Sequence, residues 1–122
     1  MSRHILVVDD SKTVRNLIAF IITKEGFQVT KAEDGLDALE KLYSISGIDL
    51  IISDVNMPRM DGFTFIKNIR EQELFRDIPV IILSTEGQDK DIQEGLGLGA
   101  NLYMVKPAQP DKLVKNIKML LG

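Results

Sequence analysis

The sequence contains no cysteine and no tryptophan, and histidine occurs once, at His4. Without cysteine neither a disulfide framework nor a thiolate metal site can form. Zinc, which favours His and Cys, is correspondingly poorly served. An excess of basic residues is also missing: the formal net charge of −3 weighs against general nucleic-acid binding, which shows a basic patch or stripe. No apolar stretch approaches the roughly 20 residues of a membrane-spanning helix. The apolar run Ile5–Val8 after Met1-Ser2-Arg3-His4 is too short for the hydrophobic region of a signal peptide. Low-complexity tracts, linkers and repeats longer than one strand–helix unit are absent as well. These absences predict a cytoplasmic single domain with no membrane insertion and no direct contact with nucleic acid. His4 opens a strand, where a surface or edge position is expected in place of a catalytic one.

What is present is a balanced globular composition, 44% hydrophobic and 27% charged over 122 residues, enough for one buried core. Ile5-Leu6-Val7-Val8, Leu50-Ile51-Ile52 and Val80-Ile81-Ile82-Leu83 are unbroken apolar runs rich in β-branched residues. Continuous hydrophobicity predicts strands covered on both faces, as in a parallel sheet. Weaker strands fit Gln28 to Lys31 and Leu102 to Val105. Between the strands the apolar spacing becomes helical. Lys12 to Lys24 carries a broad stripe, with Ser11 as N-cap and Gly26 just past the end. Ala38, Leu39 and Leu42 mark a second helix. Phe63, Phe65, Ile66 and Ile69 mark a third, stopped before Pro79. Asp89 to Leu98 is a weaker fourth, and Pro110 to Leu121 a fifth with proline in its first turn. Five βα units joined by right-handed crossovers make a three-layer, doubly wound α/β fold around a five-stranded parallel sheet.

In such folds chemistry sits beyond the carboxyl ends of the strands. That rule selects Asp9 and Asp10 after the first strand, Asp54 after the third, Ser84 after the fourth and Lys106 after the fifth. A single aspartate after a strand is ordinarily a cap or turn residue, and Asp9-Asp10 before a helix would suit its dipole. Three acids gathered at one sheet end are different, because they repel and need compensation. Lys106 offers an ammonium, and a divalent cation could take the carboxylate oxygens as ligands. An all-oxygen site suits Mg²⁺. A cation also lets a carboxylate meet a phosphoryl group, so that a carboxylate nucleophile can form an acyl phosphate.

The pattern Asp9-Asp10, Asp54 followed by Asn56-Met57-Pro58 and Asp61-Gly62, then Ser84, then Lys106-Pro107 resembles the receiver domain of two-component response regulators. The resemblance runs from about Arg3 to Leu121 and implies a flavodoxin-like, CheY-like fold in one receiver domain, residues 1–122, without an output domain. It implies that Asp54 accepts phosphate from a sensor histidine kinase or a phosphotransfer protein. Asp10, Asp54 and the Asn56 carbonyl would hold Mg²⁺, with Asp9 acting through a bound water. Lys106 would pair with the phosphoryl oxygens, Ser84 would hydrogen-bond them, and Tyr103 would swing inward as Ser84 moves. The Lys106–Pro107 bond is implied to be cis. Asn56 and Glu86, each two residues after a site residue, match the chemotaxis type and would set the lifetime of the phosphate. Ala108 replaces a phenylalanine common in chemotaxis-type members. A monomer that is not an enzyme is implied, signalling by phosphorylation-dependent protein contact through the fourth helix, last strand and fifth helix. Chemotaxis or motility is one pathway; a phosphorelay intermediate or a receiver excised from a larger regulator is the alternative.

Two other classes fit less well. A phosphatase of the haloacid-dehalogenase type needs a second aspartate two residues after the first, where Asn56 stands. A flavin or nucleotide module needs a phosphate-binding loop after the first strand, where Asp9-Asp10 would repel the ligand. Gly95-Leu96-Gly97-Leu98-Gly99 does not follow a strand, so it is no dinucleotide fingerprint. Its glycines predict a weak, easily repositioned fourth helix. Met57 and Met60 are expected to pack a loop. The stripe on the first helix looks too broad for the core alone: either some of Val14, Ile18, Phe20 and Ile22 stay exposed as a docking patch for the kinase, or the whole stripe serves the core.

Overall fold

A computed structural model describes residues 2–122, and the order of elements is the repeated βα unit. It runs β1 (His4–Val8), α1 (Lys12–Lys24), β2 (Gln28–Ala32), α2 (Gly35–Ser44), β3 (Leu50–Ser53), α3 (Gly62–Arg70), β4 (Val80–Ser84), α4 (Asp89–Gly97), β5 (Leu102–Val105) and α5 (Pro110–Leu121). All strand pairs are parallel, in the order β2-β1-β3-β4-β5. The chain leaves β1 towards β2 and then returns to β1's other side for β3. The carboxyl ends of β1 and β3 therefore flank the point where the winding reverses, the position where ligands bind in open α/β sheets.

The unbroken apolar runs have a direct cause. Alternate residues of a strand face opposite sides of the sheet, and here both sides are covered. Leu6, Val8, Ile51 and Ile82 join Ala38, Leu42, Phe65, Ile66 and Ile69 of α2 and α3. Ile5, Val7, Ile52, Ile81 and Leu83 join Ile18, Ile22, Leu113 and Ile117 of α1 and α5 on the other face. The weaker signals of β2 and β5 belong to the two edge strands, which keep half-buried and exposed positions.

Local rules set the helix ends. The Ser11 hydroxyl caps α1 by accepting from the Val14 amide, and Gly26 beyond the other end has φ +92°. Asp34 and Asp61 cap α2 and α3 in the same way, accepting from Asp37 N and Thr64 N. α3 ends at Arg70, well before Pro79. The intervening residues form turns closed by Phe75 N–Gln72 O and Ile78 N–Phe75 O, which tuck Phe75 under the α2–α3 side of the core.

The structure refines three expectations. Of the four α1 residues weighed as a docking patch, Ile18 and Ile22 are buried and Val14 is half-buried, because the sheet and α5 cover them. Phe20 (67% exposed), one of the four, does stay free, and Leu17 (57%), not among them, joins it in the exposed ridge. His4 is not at an edge: β1 is paired on both sides. Its half-buried ring lies 2.6 Å from the Thr30 hydroxyl, at the amino end of the sheet. Gly95 is more than a weak point in α4. A Cβ there would lie 2.6 Å from Ile82 Cδ1 and 3.1 Å from the Tyr103 ring, so the absence of a side chain is what seats α4 on β4 and β5. Gly97 has open space around it and carries only the helix penalty.

Candidate functional site

Asp9 follows β1, its side chain almost wholly buried, while the neighbouring Asp10 is exposed. Asp54 follows β3 and is also buried. Main-chain pairing places both: Asp54 N donates to Val8 O (2.9 Å) and Asp9 N to Ala32 O (3.1 Å). One carboxylate oxygen from each of Asp9, Asp10 and Asp54 lies within 4.8 Å of the others. From the end of β5 the Lys106 ammonium donates to Asp9 Oδ2 at 2.8 Å and to Asp54 Oδ2 at 3.0 Å. The remaining oxygens accept from the backbone, Asp9 Oδ1 from Ser11 N (2.9 Å) and Asp54 Oδ1 from Val55 N (2.7 Å).

Burial raises the Asp9 carboxyl above its usual range, against the hydrogen bonds from Lys106 and Ser11 that work to lower it. For Lys106 burial works to lower the ammonium, but the hydrogen bonds to Asp9 and Asp54 prevail and raise it. Three carboxylates against one ammonium leave negative charge uncompensated. The donors are all hard oxygens, with Asp10 open to solvent, a set that suits a magnesium ion that retains some of its waters.

Ser84 closes β4 fully buried, its hydroxyl accepting from Glu86 N at 3.1 Å while its carbonyl accepts from Lys106 N at 2.8 Å. Tyr103 on β5 is half-buried, and its hydroxyl donates to the Glu86 carbonyl. Burial raises its phenol above the ordinary value. The Asn56 amide donates to Glu86 Oε1 at 2.7 Å, so the two residues that the family resemblance singled out bond directly. The Lys106–Pro107 peptide is cis. Met57 and Met60 pack partly buried against the core beneath the β3–α3 loop. Gly62 closes that loop: its amide donates to Val55 O (2.8 Å), and a Cβ would lie 2.0 Å from the Asp54 carbonyl oxygen. Only glycine permits this approach next to the buried carboxylate.

Two residues beside the site were not anticipated. Asp34, at the end of β2, is buried and accepts from Arg59 Nε (2.7 Å) and Nη2 (3.0 Å). Burial works to raise its carboxyl, yet the Arg59 and Asp37 hydrogen bonds prevail and hold it below the usual carboxylate range. Arg59 itself has φ +61°, the one non-glycine residue with positive φ among the described residues. An aspartate before a helix start is a local capping signal that could have found Asp34; its guanidinium partner, 25 residues away, leaves no such signal.

A parallel sheet of this order, with acids, a hydroxyl and a lysine at the carboxyl ends of its strands, defines a class of α/β signalling domain. The model of the response regulator receiver domain matches residues 5–118, and the chain belongs to that family. It is similar to chemotaxis protein CheY1 of Helicobacter pylori, 38% identical over 97% of this chain and 96% of that protein. It is also 38% identical to the phosphate regulon transcriptional regulatory protein PhoB of Escherichia coli, covering 99% of this chain but 52% of that longer protein. Among solved structures, Vibrio cholerae CheY4 has a TM-score of 0.92 at 38% identity, covering 99% of this chain and all of that one. The chain is a response regulator receiver, a signalling protein of a family that binds Mg²⁺ at such an acidic cluster.

Proposed function

We propose that Asp54 accepts a phosphoryl group from a phosphohistidine of a sensor kinase or phosphotransfer protein, and that the product is read by protein contact. The observation that carries this reading is the placement of Asp54: buried, adjacent to Asp9 and Asp10, and sharing one ammonium with Asp9. An Asp54 oxygen attacks phosphorus as the P–N bond of the donor breaks, its electron pair passing to the imidazole. Asp10, Asp54 and the Asn56 carbonyl would hold Mg²⁺, with Asp9 acting through a bound water, and the ion would offset the charge of the approaching phosphoryl group. Lys106 leaves its bond to the Asp54 carboxylate to pair with a phosphoryl oxygen. The Ser84 hydroxyl, lying at the neighbouring strand end, donates to another. Water later attacks phosphorus, the P–O bond breaks, and the Asp54 carboxylate returns with inorganic phosphate. Asn56 and Glu86, bonded to each other, regulate that water's access and so the lifetime of the signal. Their pairing, as in the chemotaxis type, supports a motility pathway.

The Tyr103 hydroxyl bond to the Glu86 carbonyl supports a switch in which Ser84 and Tyr103 move together. The exposed side chains of Leu96 on α4 and Val105 on β5 support a target surface on α4, β5 and α5. Leu17, lining a groove of about 370 Å³ that reaches Lys106 and Pro107, supports donor docking along α1 next to the site. The covalent step then serves signalling in the cytoplasm, not turnover of a substrate. With Mg²⁺ and acetyl phosphate, wild type is expected to gain one acid-labile phosphoryl group by mass spectrometry, and Asp54→Asn none. A persistent adduct on Asp54→Asn would overturn the assignment.

A further inference from the structure

The loop between β3 and α3 is closed at its base by the Gly62 N–Val55 O bond and held from two opposite sides. On one side Asn56 bonds Glu86 in the β4–α4 loop. On the other, Arg59 makes a two-pronged bond to Asp34, and Met60 O accepts from Gly35 N at 3.0 Å. The second attachment has an unusual construction. Arg59 adopts a backbone conformation that side-chain-bearing residues rarely use, and its guanidinium grips a carboxylate that is 1% exposed and also caps α2. A fork-to-carboxylate pair fixes direction as well as distance. The same β2–α2 segment accepts the Asp9 amide at Ala32 O, so it braces Asp9 and the β3–α3 loop at once.

We infer that Arg59, through Asp34, is a positioning residue for the phosphorylation reaction, holding the β3–α3 loop so that Asn56 faces the carboxylates of Asp9, Asp10 and Asp54. This rests on the reading of those residues as a Mg²⁺ site. Arg59 touches none of the reacting atoms; it acts by fixing the loop three residues beyond Asn56. Groups that orient a metal's ligands from outside characteristically change its affinity by about 10- to 100-fold when removed.

The test is Mg²⁺ alone, titrated into the full chain and followed by amide NMR shifts, with thermal midpoints measured in parallel without the ion. Arg59→Ala and Asp34→Asn are each expected to weaken Mg²⁺ binding by about tenfold, and the double variant by no more than either single one. Arg59→Lys, which retains the charge but not the fork, should fall between Arg59→Ala and wild type, and it carries the test if the alanine variant does not fold. Arg59→Gly relieves the positive φ, so its midpoint should exceed that of Arg59→Ala while its Mg²⁺ affinity is equally weak. Lowered midpoints with wild-type Mg²⁺ affinity would overturn the inference and leave a purely structural pair. Wild type that fails to bind Mg²⁺, or binds it equally well as Asp10→Asn, would instead overturn the underlying site.

Discussion

At the amino end of the sheet, Asp49 precedes β3 and Asn101 precedes β5, and both side chains are taken up by the backbone. Asp49 Oδ2 accepts from His4 N at 2.8 Å; Asn101 Oδ1 accepts from Val80 N at 2.9 Å and from Arg70 at 3.3 Å. At the carboxyl end, Asp9, Asp10 and Asp54 crowd one another with Lys106 as their shared cation. The residue types are similar and the neighbouring strands are the same. What differs is compensation: one end satisfies its polar groups internally, while the other retains negative charge that a cation can offset.

The comparison predicts separable failures. Lys106→Ala should slow phosphorylation by acetyl phosphate by about 100-fold, a loss typical of removing one preorganised charge partner, measured as the initial rate of phosphoprotein formation. Asn101→Ala should leave that rate unchanged and instead destabilise the fold by about 1–3 kcal/mol in urea denaturation, since the Val80 amide loses its acceptor. A slowed phosphorylation rate in a fully folded Asn101→Ala protein would break the distinction between the two ends.

The smallest effect concerns Asp34, which combines both roles. Its folded-state carboxyl lies below the ordinary 3.8, so its ionised form stabilises the fold above that pH and the contribution disappears as pH falls through the lower folded value. The stability gap between wild type and Asp34→Asn should therefore be constant near neutrality and close below 3.8. A gap that widens in acid would show that Asp34 is not held as a carboxylate by Arg59.

Legibility in the sequence followed burial. β1, β3 and β4 are covered on both faces and announce themselves as apolar runs, whereas edge strands β2 and β5 give weaker patterns. The helix ends at Ser11 and Pro110 were readable because caps act within one turn. The α1 ridge was legible only in part, at Phe20, because a stripe broad enough to meet both the sheet and α5 does not reveal which of its residues they cover. Gly95 was legible as a helix weakness, but its contacts with Ile82 and Tyr103 depend on how α4 lies on the sheet.

Sequence alone determined the alternation of strands and helices, and with it the rule that Asp9, Asp10, Asp54, Ser84 and Lys106 share one end of a parallel sheet. Those are consequences of periodicity and local capping, which are written in one dimension. Only the tertiary structure decided how those residues meet: Lys106 bonding Asp9 across 97 positions, Asn56 bonding Glu86 across 30, and Arg59 bonding Asp34 across 25. These contacts follow from strand order and loop packing, and the pattern of neighbouring residues does not encode either distance or direction.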